Sequence, residues 1–548
     1  MTKRSLVIVF LFFSITKTGF AQQSTNPGHI ERPKLVVGLV VDQMRWDYLY
    51  RYSSLYGSNG FNRLTSQGNS CENTFIPYTP TYTAVGHSCI YTGSIPSISG
   101  IVGNNWFDRS TGKTFYCTDD STVNSVGTTT NEGKMSPANL WVTTIGDELR
   151  LHNNFKSKVI GVAIKDRASI LPAGHAANAA YWYDDMEGKI ISSSYYMKEL
   201  PGWVQDFNKK DLVNVYMSKD WNTILPLSSY DLSSGDNMKY ESTMPEEKLP
   251  VFPHRTSLIN KQKAEAFKYT PFAATYTFDF AKAAIENENL GNSVATDFLT
   301  ISISSTDYVG HTYGPNSIEA EDAFLRLDKD IESFLQYLDK RLGKGNYTVF
   351  LTADHGVAHI PGFLQSHNIP AGNYNSAAIH HEIDSIVKEK LGINNAILSF
   401  QNYQVYLNTE EIEKQQKDIN AVKEVVIDIL KQKPFILNVI DLSNAATATI
   451  AEPMRTRIIN GYNMKRSGDI QFVTKANYFD GTSGTGTTHG SWNPYDSHIP
   501  LVWYGWGIRQ GRTNRETYMT DIAATLAAIL RIQMPGGCVG NVITEVMK

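Results

Sequence analysis

Three groups of carboxylates and imidazoles, far apart in a chain of 548 residues, carry the chemistry of this sequence. They are Asp42; Asp307-x-x-x-His311 together with Asp354-His355; and His489 in Gly-Thr-Thr-His-Gly. Asp42, Asp307 and Asp354 each follow a run that reads as a buried strand: Leu35–Val41, Phe298–Ser304 and Tyr347–Thr352. His489 sits in a Gly/Thr/Ser-rich loop instead. Ionisable residues at the ends of adjacent buried strands converge on one edge of a sheet, where open α/β folds place their sites. Three carboxylates and three imidazoles suffice to hold two divalent cations in nitrogen and oxygen shells with positions left open, which is zinc-like and catalytic rather than structural chemistry.

A nucleophile is available nearby. Tyr78-Thr79-Pro80-Thr81-Tyr82-Thr83-Ala84-Val85-Gly86-His87 is a Pro-punctuated turn running into a helix. A threonine there meets free backbone N–H groups and the positive end of the helix dipole. Threonine is also a good N-cap, so one of the three could serve only as a cap. A neighbouring divalent cation would favour a deprotonated hydroxyl. Thr83 is the preferred nucleophile, followed by Thr81 and Thr79. Asn104, closing Gly100-Ile101-Val102-Gly103-Asn104, offers an amide donor. Lys165 and Arg167 alternate off a strand end and can point the same way. Alone such a basic pair reads as solvated surface; beside two cations it becomes an anion clamp.

The elements that must position these residues alternate strand and helix over long stretches. The fold class is therefore α/β, a mostly parallel sheet sandwiched by helices. The patterning predicts strands at Lys34–Val41, Lys158–Ile164 and Pro500–Tyr504. It predicts helices at Trp46–Arg63, Val85 to about Gly93, Thr275–Asn287, Ile318–Leu342 and Asp521–Leu530. Tyr181–His254, rich in Tyr, Trp, Ser, Asp and Pro, reads as an inserted cap over the core. Ala377–Val473 reads as a small inserted α/β subdomain with helices at about His381–Leu391 and Ala421–Gln432 and strands at Tyr403–Leu407 and Phe435–Val439. The catalytic core then spans 34–376 and 474–548. His380-His381 reads as a solvated helix start, and His87 and His359 as neighbours of the site.

Composition sets the compartment. Hydrophobic residues at 41% and charged residues at 19% suit a globular enzyme. Lys3 and Arg4, the apolar Leu6–Ile15 and the small-residue site Gly19-Phe20-Ala21 form a secretory signal over 1–21, with a polar linker at 22–33. The apolar stretch is too short to span a bilayer, so no membrane anchor is expected after cleavage. The protein is expected in the periplasm or outside the cell, and a monomer is favoured. Cleavage removes Lys3, Arg4 and Lys17 and moves the formal charge from −4 to −7. That balance argues against nucleic acid bound by bulk charge. Cys71, Cys89, Cys117 and Cys538 form no CxxC pair and read as disulfides or buried thiols, not ligands.

Six motifs in order give the chain a resemblance to the alkaline phosphatase superfamily, in particular to the phosphate-irrepressible bacterial alkaline phosphatases with a threonine nucleophile. These enzymes are related to the nucleotide pyrophosphatase/phosphodiesterases. The motifs are Val41-Asp42-Gln43, Thr83-Ala84-Val85-Gly86-His87, Ser99-Gly100-Ile101-Val102-Gly103-Asn104, Thr306-Asp307-Tyr308-Val309-Gly310-His311, Thr352-Ala353-Asp354-His355-Gly356 and Thr488-His489-Gly490. The resemblance implies two Zn²⁺, one on Asp42, Asp354 and His355 beside Thr83, the other on Asp307, His311 and His489 at the leaving oxygen. It implies in-line displacement through a phosphothreonine, with Asn104, Lys165 and Arg167 on the equatorial oxygens.

On that assignment, three carboxylates and the Thr83 alkoxide balance two Zn²⁺, and Lys165 and Arg167 add the two positive charges that match a phosphate monoester dianion. A phosphodiesterase or nucleotide pyrophosphatase is the alternative. It requires Lys165 and Arg167 to point away and an apolar pocket from Tyr78, Tyr82 or Trp106. A sulfatase lacks its C/S-x-P-x-R context here, and a mutase relative would conflict with the signal segment. A secreted zinc-containing binding protein is the non-enzyme alternative.

Overall fold

The computed structural model describes residues 31–481 and 484–548. The signal segment and most of the linker lie outside the described residues.

An eleven-stranded sheet forms the centre. Its middle is parallel: Tyr347–Thr352, Leu35–Val41, Asp297–Ile303, Val159–Ala163 and Ala179–Asp184 lie side by side. Leu35–Val41, Asp297–Ile303, Val159–Ala163 and Tyr347–Thr352 are buried along their whole length, as continuous apolar strands covered on both faces must be. Register aligns their carboxyl ends: Val40 faces Thr352, Val41 faces Ile303, and Ala163 faces Ser302. Asp42, Asp354, Asp307 and Lys165 therefore all leave the sheet at one edge. Antiparallel strands finish both sides, Leu501–Gly505 and Asn69–Phe75 on one, Lys189–Ser193 and Ser125–Val126 on the other. Helices Ile318–Leu342 and Asp521–Leu530 keep the bounds expected from their patterning.

Two expectations need correction. Trp46–Arg63 is not one helix: Tyr48–Arg51 and Phe61–Gln67 are separate short helices. Gly57 and Gly60 interrupt them, and a Cβ at Gly60 would lie 2.1 Å from Asp328 Oδ1. The segment from Tyr181 does not begin as a cap. Ala179–Asp184 and Lys189–Ser193 form a hairpin within the main sheet, because Ala-Ala-Tyr-Trp-Tyr is an aromatic run that fits a pleated, buried surface.

A second, four-stranded antiparallel sheet is built from Ile397–Gln401, Gln404–Leu407, Ile470–Thr474 and Ile436–Asp441. Helices Ser376–Leu391 and Ile419–Lys431 pack on it, and Ile383, Val387 and Val426 from the helices join Phe472 from the sheet in a separate apolar cluster. His380 and His381 lie within the first of these helices, His381 exposed. The four cysteines are all free thiols, Cys538 alone being only partly buried.

A candidate bimetal centre at the carboxyl edge of the sheet

Helix Thr83–Thr92 opens the site. Tyr82 occupies its N-cap without a side-chain cap bond, so Thr83 stands in the first turn with its hydroxyl uncommitted to capping. Thr81 Oγ donates to Ser491 O at 3.0 Å, and Thr79 packs its backbone against Gly461. Thr83 is thus the threonine of the three whose hydroxyl faces the cluster, 3.4 Å from His355 Nε2 and 3.5 Å from Lys165 Nζ. The helix reaches so deep because residue 86 is glycine: a Cβ there would lie 2.5 Å from Asp354 O.

The three histidines share one orientation. Nδ1 of His311 meets Thr487 O at 2.8 Å, Nδ1 of His489 meets Thr81 O at 2.7 Å, and Nδ1 of His355 meets Gly356 O at 3.0 Å. A carbonyl at Nδ1 fixes the proton there and leaves the Nε2 lone pair to ligate. Those Nε2 atoms face carboxylates. His311 and His489 lie 3.2 and 3.7 Å from Asp307 Oδ1, and His355 lies 3.3 Å from Asp354 Oδ2 and 3.6 Å from Asp42 Oδ1. Two triads could each hold a cation, Asp307–His311–His489 and Asp42–Asp307–His355, their ligand atoms within 4.8 Å of one another.

The charge balance fits a cation as well. Asp42, Asp307 and Asp354 are buried, and Asp42 Oδ1 and Asp354 Oδ2 have no hydrogen-bond partner. Orphaned buried carboxylate oxygens are expensive unless a cation reaches them. Lys165 Nζ supplies one positive charge, 2.7 Å from Asp42 Oδ2 and 2.6 Å from Asp307 Oδ2. Even so, burial and the neighbouring Asp354 push Asp42 well above the usual carboxylate range. Asp307 behaves oppositely: burial works against its charge, but His311 and Lys165 hold it well below that range. Burial and the flanking His355 and His311 keep His489 neutral, the form that ligates.

Lys165 does not alternate with Arg167 off a strand. It is the N-cap of helix Asp166–Ala173, and Arg167 is the second helical residue. The two side chains part company: Lys165 enters the cluster, whereas Arg167 NH1 donates to Tyr116 OH at 2.9 Å and its buried Nε has no partner. Asn104 Oδ1 accepts from the Ala84 backbone N–H at 2.9 Å, leaving its Nδ2 as the donor. Of the aromatic residues considered for an apolar pocket, Tyr78 is fully buried and Trp106 lies beneath the Arg466 guanidinium; Tyr82 alone lines a cavity at the site. His87 is buried 3.3 Å from Asp354 Oδ2, and His359 bonds Asn316 and Arg45.

Gln43 had no assigned role. Its backbone N–H donates to Asp354 Oδ1 at 3.1 Å and its Nε2 to Asp307 Oδ1 at 2.6 Å. Its φ of 66° is unusual for a non-glycine residue, and such conformations cluster at functional sites. Only its position directly after Asp42 could have marked it in the sequence.

The family model described as type I phosphodiesterase / nucleotide pyrophosphatase matches residues 36–496. The alkaline phosphatase PhoV of Synechococcus elongatus is 50% identical over 534 residues, 97% of this chain and 96% of its own. A protein of Myroides odoratus named a calcium-transporting ATPase is 51% identical over 523 residues, 95% of each chain. The crystal structure of wild-type alkaline phosphatase PafA superposes with a TM-score of 0.93 at 50% identity, covering 95% of this chain and all of that one.

Proposed function

The chain belongs to the type I phosphodiesterase/nucleotide pyrophosphatase family, and within it we propose an exported alkaline phosphatase that hydrolyses phosphate monoesters through a phosphothreonine at Thr83. The observation that carries this reading is the meeting of Thr83 Oγ with His355 Nε2 and Lys165 Nζ at the first turn of a buried helix. Asp42 and His355, with Asp354 3.3 Å from His355 Nε2 and Asp307 also within reach of that pair, would hold one Zn²⁺, and Asp307, His311 and His489 a second; the nitrogen and oxygen donors and open positions suit zinc. When bound, such ions lower the pKa of a hydroxyl beside them and offset charge on phosphoryl oxygens.

The chain's own residues do the rest. Thr83 Oγ forms a bond to phosphorus as the bond to the leaving oxygen breaks, and water then cleaves the phosphothreonine to return the hydroxyl. The first-turn amides that Asn104 does not occupy receive equatorial oxygens. Asn104, oriented through Ala84, donates its Nδ2 to another. The unpartnered Arg167 Nε is a buried donor that a phosphoryl oxygen would satisfy.

The diesterase alternative requires Lys165 and Arg167 both turned away; the Lys165 ammonium points into the cluster, whereas the Arg167 guanidinium bonds Tyr116. Among the described residues no helix is long and apolar enough to cross a membrane. Residues 1–21 are taken as the export signal, the core as 34–376 and 474–548, and 377–473 as an inserted subdomain. Acid quench during turnover followed by peptide mapping tests the reading: phosphate on Thr83 supports it, and phosphate on Thr79 or Thr81 overturns the choice of nucleophile.

A further inference from the structure

Asn104 ends a loop that leaves the short helix Pro96–Ser99 through Gly100, whose φ of 81° is left-handed. The Gly100 carbonyl accepts from Arg466 NH1 at 2.6 Å, and the same nitrogen donates to Asn139 O at 2.8 Å. The Arg466 guanidinium lies between two indoles, 4.5 Å from the ring centre of Trp106 and 4.2 Å from that of Trp141. Both rings belong to segments that flank the loop. Trp106 stands two residues beyond Asn104, and the Trp141 N–H donates to Ser99 O at 3.0 Å. A Cβ at Gly100 would lie 2.8 Å from Arg466 NH1 and 2.7 Å from the Trp141 ring, so glycine permits this approach.

Arg466 comes from outside the main sheet. It stands four residues before strand Ile470–Thr474 of the second sheet, and its neighbours tie that sheet to the same segment. Asn463 Nδ2 donates to Ser97 O at 3.1 Å, and Asn402 Nδ2 to Asn105 O at 2.7 Å. Arg109 reaches back to Ser467 O at 2.9 Å and Asp469 Oδ2 at 2.8 Å. At its other end the loop is fixed through Asn104 itself, whose Oδ1 accepts from Ala84 N–H and whose carbonyl accepts from Cys117 N–H. A planar guanidinium held by two rings and two carbonyls is a rigid plate that lysine does not reproduce.

We propose that Arg466 is a positioning residue for Asn104: by holding Gly100 O between the two indoles, it fixes the loop that aims the Asn104 amide at a phosphoryl oxygen. This rests on the reading that Asn104 Nδ2 is such a donor. A hydrogen-bond donor stabilises developing charge only if it is held where that charge appears. Removing Arg466 takes the NH1 donor from Gly100 O and the plate from between Trp106 and Trp141, leaving the start of the loop free to shift while its far end stays tied to Ala84. The second sheet thereby supports a phosphoryl-oxygen donor that lies in the main domain.

A double-mutant cycle with Asn104→Ala tests this in the zinc-loaded protein, read as kcat/KM for an aryl phosphate monoester and as inhibition by inorganic phosphate. Arg466→Met should lower kcat/KM by about 10- to 100-fold, the scale of a catalytic group misplaced by ~1 Å, and should weaken phosphate inhibition. In the Asn104→Ala background the same substitution should change either quantity by less than about twofold. Arg466→Lys, which keeps the charge and one donor for Gly100 O, should lose only a few-fold; its own cycle gives the answer if Arg466→Met fails to fold. Arg109→Met breaks a neighbouring tie without touching Gly100 and should stay within about twofold of the parent. Additive losses in the cycle, or a loss in Arg109→Met equal to that in Arg466→Met, would mean that Arg466 only docks the second sheet, and would overturn the inference. Full activity in Asn104→Ala would instead overturn the role of Asn104 itself, on which the inference rests.

Discussion

Gln43 joins two halves of the site by donating its side-chain amide to Asp307 Oδ1 at 2.6 Å. Its backbone N–H also holds Asp354, so one residue positions carboxylates from the two strands flanking its own. Groups that orient metal-ligating side chains typically contribute 10–100-fold in affinity or activity. Gln43→Ala should weaken zinc binding by roughly that factor and lower activity at limiting zinc, with activity partly restored by excess metal. Zinc competition against a chromophoric chelator checks this. Unchanged affinity would mean that the carboxylates are positioned without the amide.

Close approach of helix Thr83–Thr92 to Asp354 depends on Gly86. A Cβ there would meet Asp354 O at 2.5 Å and Asp354 Cβ at 2.6 Å. Gly86→Ala is expected to cost about 1–3 kcal/mol through overpacking and to displace Thr83 from His355. Gly202→Ala, where nothing lies within 4 Å, is the control and should stay within about 0.5 kcal/mol of the parent. Urea denaturation midpoints and activity at saturating zinc measure both effects.

Away from the site, buried His254 lies between Glu247 at 2.9 Å and Glu319 at 3.2 Å, stacked on Trp221. Burial opposes its charge, but the hydrogen bond to Glu247 and the facing Glu319 carboxylate outweigh that and raise it to about 9. Glu241 is pushed up to about 9 by burial and by Glu319. Both groups hold protons in the folded protein at pH values where the unfolded chain has released them. His254's contribution is therefore complete below pH 6.5 and is lost as pH rises through about 9, up to roughly 3 kcal/mol. Glu241 loses its share over a window that begins lower, near 4.5. Denaturation midpoints should fall from pH 6 to pH 9.5, and less steeply in His254→Gln. An identical slope in that variant would assign the dependence elsewhere.

The parts legible in the sequence were those that periodicity and strand ends determine. Buried strands that end just before Asp42 and Asp354, and a third running toward Asp307, place ionisable groups on one edge whatever the loops do, and Ile318–Leu342 announces itself by its apolar stripe. Ala179–Asp184 was obscured because Tyr and Trp serve a buried strand and an exposed cap equally well. Lys165 was misread because a strand of five residues ends two positions earlier and the chain turns at once into a helix. Gln43 was invisible for another reason: its role depends on a left-handed backbone that no neighbouring residue signals.

The most direct test of the account compares an aryl phosphate monoester with its diester counterpart at alkaline pH, using the zinc-loaded protein and Lys165→Ala/Arg167→Ala. Removing donors to the phosphoryl oxygens should lower monoester kcat/KM by roughly 10²–10³ per donor and diester kcat/KM by less than about tenfold, collapsing a strong monoester preference. A diester preference that the double variant leaves untouched would contradict the account and make this protein a phosphodiesterase.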